Sequence, residues 1–276
     1  MRNLPLGSMA ARLLQHSVLA ATALTSLTGC MSPAREMNPS FPVTIESARM
    51  DLARMVSDPK PTARAVVIIG GIADPSISSG AMVKVIAPTL SASKVLEVDF
   101  FGTTTFAQAR AHLLREIRRG LELGETAPIP EVDVVAFSMG GLVARDAAST
   151  VHGGERVPIR RLYTIATPHL GARVASAPFQ FPQSEDMQIT SDFLAQLDEA
   201  LPDACYELRC YAVTDDVTVG EEFAAPNGWH LWWVPVQPGR YGHLSGFSDE
   251  RILSDIARRL RGEAGVTLSQ GTPIPD

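Results

Sequence analysis

The sequence predicts an open, mostly parallel, doubly wound α/β sheet of about six strands with helices on both faces. Six short and nearly continuous apolar runs punctuate the chain, as expected of strands covered on both sides. Segments with helical apolar spacing fill the gaps between them, which is the alternation that builds parallel sheets through crossover helices. With 276 residues, 45% hydrophobic and 20% charged, the chain is large enough to bury one substantial core.

In chain order, residues 44–56 carry Ile45, Ala48, Leu52, Met55 and Val56 at helical spacing. The first strand is expected over 65–69, ending in Gly70 and Gly71, and a weaker run covers 94–98. Further strands are expected over 132–136, 162–166, 208–213 and 231–236. Helical patterns occupy 79–90, 105–121, 140–150, 191–201 and 248–260. In the last of these, Ile252, Leu253, Ile256 and Leu260 share one face, and Gly262 can close the helix. These elements place a single domain over residues 44–262. Residues 172–204 are longer than a plain connection and serve either as a cap or as a helix packed on the sheet. Residues 263–276 lack periodicity and are expected to form a frayed tail.

The amino-terminal segment belongs outside this fold. Arg2 and Arg12 give a basic start, 13–27 is mostly apolar, and no acidic residue occurs before Glu36. Residues 1–29 therefore read as a signal peptide. The segment ends in Leu27-Thr28-Gly29-Cys30, which resembles the lipobox of bacterial lipoproteins. That resemblance implies a diacylglycerol thioether on Cys30, a tether over 30–43, export, and anchoring to a membrane from the periplasmic or cell-surface side. The alternatives are a plain signal peptide with an incidental cysteine or a short membrane helix, against which Gln15, His16, Ser17 and several threonines break the apolar run. Cleavage would remove two arginines and take the formal charge from −6 to −8. Such a charge offers no general attraction to nucleic acid. Cys205 and Cys210 remain, and could bond only if the chain turned between them. Cys210 reads equally well as a small buried strand residue.

Doubly wound sheets bind ligands beyond the carboxyl ends of their strands. At one such end, Ala136-Phe137-Ser138-Met139-Gly140-Gly141 leads from a strand into a helix. A serine on so sharp a turn needs small residues two positions to either side, because neighbouring backbone comes too close for side chains. The stretch VDVVAFSMGGLVAR (132–145) resembles the nucleophile elbow of bacterial lipases and related α/β-hydrolases, with Ala136 and Phe137 where Gly-His is usual. The likeness spans about residues 64–260.

That resemblance implies a Ser-acid-His triad and an oxyanion site. Ser138 would be the nucleophile. Met139 would supply one oxyanion amide, and the loop after VVIIGGI the other, by position Ile72 with Gly71 as the alternative. Gly70 stands where the family carries a histidine. The acid follows the next-to-last strand, where Thr214-Asp215-Asp216-Val217-Thr218-Val219 resembles the family's acid loop. Aligning Val219 selects Asp216, with Asp215 as runner-up.

Triad order leaves His230 and His243 for the base. His230 precedes a strand, which puts it roughly 20 Å from the chemistry at ~3.3 Å per residue. It reads instead as a neighbour of Trp232 and Trp233. His243 follows the strand and precedes the last helix, where the base belongs. His169 lies in Thr167-Pro168-His169-Leu170-Gly171, similar to a lipase segment in which this histidine is structural. His112 and His152 read as surface positions, and His16 falls in the signal segment. No Cys/His cluster suggests a metal, and the mechanism calls for no cofactor. The resemblance thus implies a lipase- or esterase-like serine hydrolase acting on ester or lipid substrates. An acyltransferase or thioesterase would use the same residues, and a non-catalytic surface module would be expected to lose one of them.

Overall fold

The computed structural model describes residues 37–149, 154–177 and 182–275. The expected signal segment 1–29, Cys30, His16 and His152 lie outside the described residues. The six strands are β1 (Val66–Ile69), β2 (Val95–Val98), β3 (Val132–Phe137), β4 (Ile159–Ile165), β5 (Glu207–Val213) and β6 (Leu231–Val234). They form one sheet in the order β2-β1-β3-β4-β5-β6. Every neighbouring pair is parallel.

Period-two alternation sends side chains to both faces, and both faces are apolar. Val67, Ile69, Val134 and Ala136 meet α3 (Phe106–Gly120), α4 (Met139–Ala148) and α5 (Asp192–Glu199). Val66, Ile68, Val135 and Phe137 meet α2 (Ile77–Ile86) and α7 (Glu250–Leu260). The first helix, α1 (Ile45–Ser57), packs Leu52 and Met55 against Ala257 of α7. Side-chain caps start several of these helices: Thr44, Thr105, Ser191 and Asp249 each accept a backbone N–H of the first turn.

The strand β4 starts three residues before its apolar run, because Arg161 is paired rather than solvated. It forms an ion pair with Asp133 of β3, and Asp133 is fully buried. Both ends of the expected domain need correction. Within the supposed tether, Asn38, Ser40 and Phe41 are buried, and Asn38 Nδ2 donates to Trp233 O at 2.8 Å. The supposed frayed tail is docked. Asp255 Oδ1 accepts the amides of Val266 (2.6 Å) and Thr267 (3.1 Å), and the indoles of Trp232 and Trp233 donate to Leu268 O and Thr272 O. Hydrogen bonding holds this segment, and hydrogen bonding leaves no hydropathy period to read.

The order reverses between β1 and β3, since the chain leaves β1 outward to β2 and returns to β3 on the other side. The crevice beyond these two carboxyl ends is the topological switch point of the sheet. Gly70 to Ile72 leave β1 there, and Ser138 leaves β3.

Candidate active site

Ser138 joins β3 directly to α4 and has φ 53° and ψ −130°, a strained backbone for a residue with a side chain. Its neighbours permit the turn. A β-carbon on Gly140 would lie 2.3 Å from Gly70 O, so only glycine fits between the elbow and the end of β1.

His243 sits on α6 (Gly242–Ser245), after β6. Its Nε2 lies 3.1 Å from Ser138 Oγ, and its Nδ1 lies 2.8 Å from Asp216 Oδ2. The other carboxylate oxygen of Asp216 accepts the amides of Thr218 and Val219, each at 2.9 Å. The Ser138, His243 and Asp216 side chains are all buried. Since a carboxylate accepts, His243 carries its proton on Nδ1, and Nε2 is free to accept from the serine. The ring rests against Phe137, with centroids 5.0 Å apart. The structure therefore brings together three of the residues singled out from the sequence, with Asp216 rather than Asp215 facing His243. Asp215 occupies a left-handed turn, φ 59°.

The amide of Gly71 donates to Ser78 Oγ at 3.3 Å. Among the described residues the amides of Ile72 and Met139 donate no hydrogen bond. Met139 directly follows Ser138 and opens a helix whose amino end favours negative charge, and Ile72 lines the same cavity as Ser138. A cavity of about 380 Å³ opens at Ser138 and His243. Its walls include Ile72, Pro168, Ala172, Ala175, Met187 and Phe247. A larger cavity, about 480 Å³, lies at the amino ends of β3 and β4 and contains none of these residues.

The long segment 172–204 divides its work. Ala172, Val174, Ala175, Ser184 and Met187 line the cavity, whereas α5 buries Phe193, Leu194 and Leu197 in the core. Phe193 stacks 4.2 Å from Phe106.

The remaining histidines stand apart. His169 is fully buried, with Nδ1 3.0 Å from Arg145 Nη1 and Nε2 3.0 Å from Thr164 Oγ1. Burial, and then the Arg145 charge, hold its pKa well below the ordinary histidine value. His230 is exposed beside Trp232, with ring centroids 5.9 Å apart. His112 is half-buried against Phe100. Cys205 is exposed and Cys210 buried, both free, and burial pushes the Cys210 thiol up to about 12.

Sequence reasoning missed Glu221, Asp74 and Ser78. The Glu221 carboxylate accepts the amides of Asp215 and Asp216, both at 3.2 Å, and so fixes the loop that carries Asp216. Polar residues in loops and at a helix start carry no hydropathy period, so no pattern pointed to them.

No protein-family model matches the sequence. No curated protein matches it either. Solved structures do. The propeptide form of the Bacillus licheniformis lipase BlEst2 is similar with a TM-score of 0.53 at 14% identity, over 79% of this chain and 53% of that one. The phospholipase PlaB of Legionella pneumophila has a TM-score of 0.53 at 12% identity, over 72% and 60%. Lipase B of Aspergillus fumigatus has 0.51 at 15%, over 86% and 62%. This chain therefore spans 53% to 62% of the length of these three proteins. At such identities the likeness speaks to architecture alone, and with the parallel sheet it gives the chain the α/β-hydrolase fold.

Proposed function

We propose that this protein is a serine hydrolase of carboxylic esters, lipase- or esterase-like, with Ser138 as nucleophile, His243 as base and Asp216 as acid. The observation that carries the reading is the unbroken hydrogen-bond chain from Ser138 Oγ through His243 to Asp216. His243 Nε2 takes the hydroxyl proton as Ser138 Oγ attacks the ester carbonyl. Asp216 keeps the imidazole oriented and stabilises the imidazolium. The amides of Ile72 and Met139 hold the oxyanion. His243 then returns the proton to the departing alcohol, and water, activated by the same base, releases the acid. The apolar cavity suits the acyl chain of an ester or lipid substrate.

The test is kinetic. Across a chain-length series of p-nitrophenyl esters, folded His243→Ala should lose roughly 10⁴-fold or more in kcat, whereas His230→Ala should change little. A folded His243→Ala enzyme with near-native kcat would sink the assignment.

We also propose that the chain is exported and held at a membrane through a lipid on Cys30, for which the lipobox-like sequence is the support. In its host, wild type should incorporate labelled fatty acid and Cys30→Ser should not. Equal labelling of both would exclude the anchor.

A further inference from the structure

We infer that Asp74 and Ser78 are positioning residues of the oxyanion site, joined in a relay that withdraws the Gly71 amide and leaves the Ile72 amide to face the reacting carbonyl. The inference rests on the proposed Ser138 chemistry. After β1 the chain passes through a loop in which Ala73 (φ 49°) and Ser76 (φ 60°) both adopt left-handed backbone. Such conformations persist only where surrounding bonds fix them.

The bonds converge on one carboxylate. Asp74 Oδ1 accepts the amide of Ile77 at 2.5 Å, and Oδ2 accepts both the amide of Ser78, at 2.8 Å, and the Ser78 hydroxyl. Because the hydroxyl donates to Asp74, its lone pairs face away, and one accepts the Gly71 amide. The relay therefore runs from Gly71 N–H to the Ser78 hydroxyl and on to Asp74. Ile72 lies between the two tied points and lines the cavity with Ser138 and His243.

Gly70 makes the relay sterically feasible. A β-carbon there would lie 2.9 Å from Asp74 Oδ2 and 3.3 Å from Ser78 Oγ. Capping of α2 explains the bonds to the Ile77 and Ser78 amides, and helix starts favour such acceptors. It does not explain the bond from Gly71 to the Ser78 hydroxyl. That bond is what separates the two roles.

Ser78→Ala keeps the cap and cuts the relay. Folded Ser78→Ala should hold KM within about twofold of wild type while kcat falls at least about tenfold, towards the ~10²–10³-fold cost of losing an oxyanion donor. Affinity for an alkyl trifluoromethyl ketone, whose adduct with Ser138 carries an oxyanion, should fall by a similar factor. Asp74→Asn offers an N–H₂ group in place of one acceptor oxygen and should act in the same direction, deciding the matter if Ser78→Ala does not fold. A folded variant with kcat and ketone affinity both near wild type would overturn the inference. Absence of a ketone adduct on Ser138 in wild type would overturn it together with the Ser138 reading, and the two failures are distinct in the mass spectrum.

Discussion

Replacing Gly140 by alanine tests the packing on which the whole site depends. The added β-carbon would lie 2.3 Å from Gly70 O and 2.7 Å from Ile69 Cγ2. Ordinary contact begins near 3.4 Å, so the elbow and the end of β1 must separate by about 1.1 Å. Neither side yields easily. Gly70 N is tied to Val98 O at 2.9 Å, and Met139 and its neighbours in α4 are buried. Overpacking of this kind costs about 1–3 kcal/mol. Alanine returns up to ~1 kcal/mol as the better helix former. A net loss of about 1 kcal/mol follows, or roughly 2–4 °C in Tm for a domain of this size. The catalytic effect should be larger, because the displaced segment carries the Ile72 amide and a misplacement of ~1 Å can cost about 10²-fold. Thermal unfolding and kcat on a short p-nitrophenyl ester, measured on the same preparation, read both quantities. A variant with native Tm and native kcat would refute the close approach of Gly70 and Gly140.

Two further predictions concern stability. His169 is neutral in the folded protein and titrates near 6.5 once unfolded, so the unfolded chain binds more protons below that pH. Its contribution is complete above about pH 6.5 and is lost on acidification, by up to ~1.4 kcal/mol per pH unit. His169→Gln should be less stable at neutral pH yet lose less Tm between pH 7 and pH 5 than wild type. An identical pH slope in the two proteins would contradict the buried neutral ring. Deleting residues 266–275 removes the bonds to Asp255, Trp232 and Trp233 described above, at about 1 kcal/mol each. Urea unfolding should report a loss of several kcal/mol, and an unchanged midpoint would show that the segment is not docked.

Much of this architecture was legible because it rests on hydropathy. All six apolar runs became strands within a few residues, since buried parallel strands leave uninterrupted Val, Ile and Leu in the sequence. The misjudged edges are those where charge replaces apolar character, as at Arg161, whose partner Asp133 lies on the neighbouring strand. The turn at Ser138 could be read because its signature is local, a serine between a strand and a helix with small residues at Ala136 and Gly140, although the atoms that bar a side chain at Gly140 belong to Ile69 and Gly70 at the end of β1. Likewise His243 was singled out by chain order and by its place after a strand. What the sequence hid are bonds between segments with no shared pattern: Trp233 to Asn38 and Thr272, Asp255 to Thr267, and Asp74 through Ser78 to Gly71. Pairings of that kind depend on loop geometry, which spacing alone does not supply.

The proposed chemistry stands or falls on which serine is nucleophilic, and a fluorophosphonate probe followed by peptide mass spectrometry measures that directly. The account predicts a single adduct on Ser138 in the wild type, none in Ser138→Ala, and much slower labelling in His243→Ala. An adduct on a different serine, or undiminished labelling of Ser138→Ala, would contradict it.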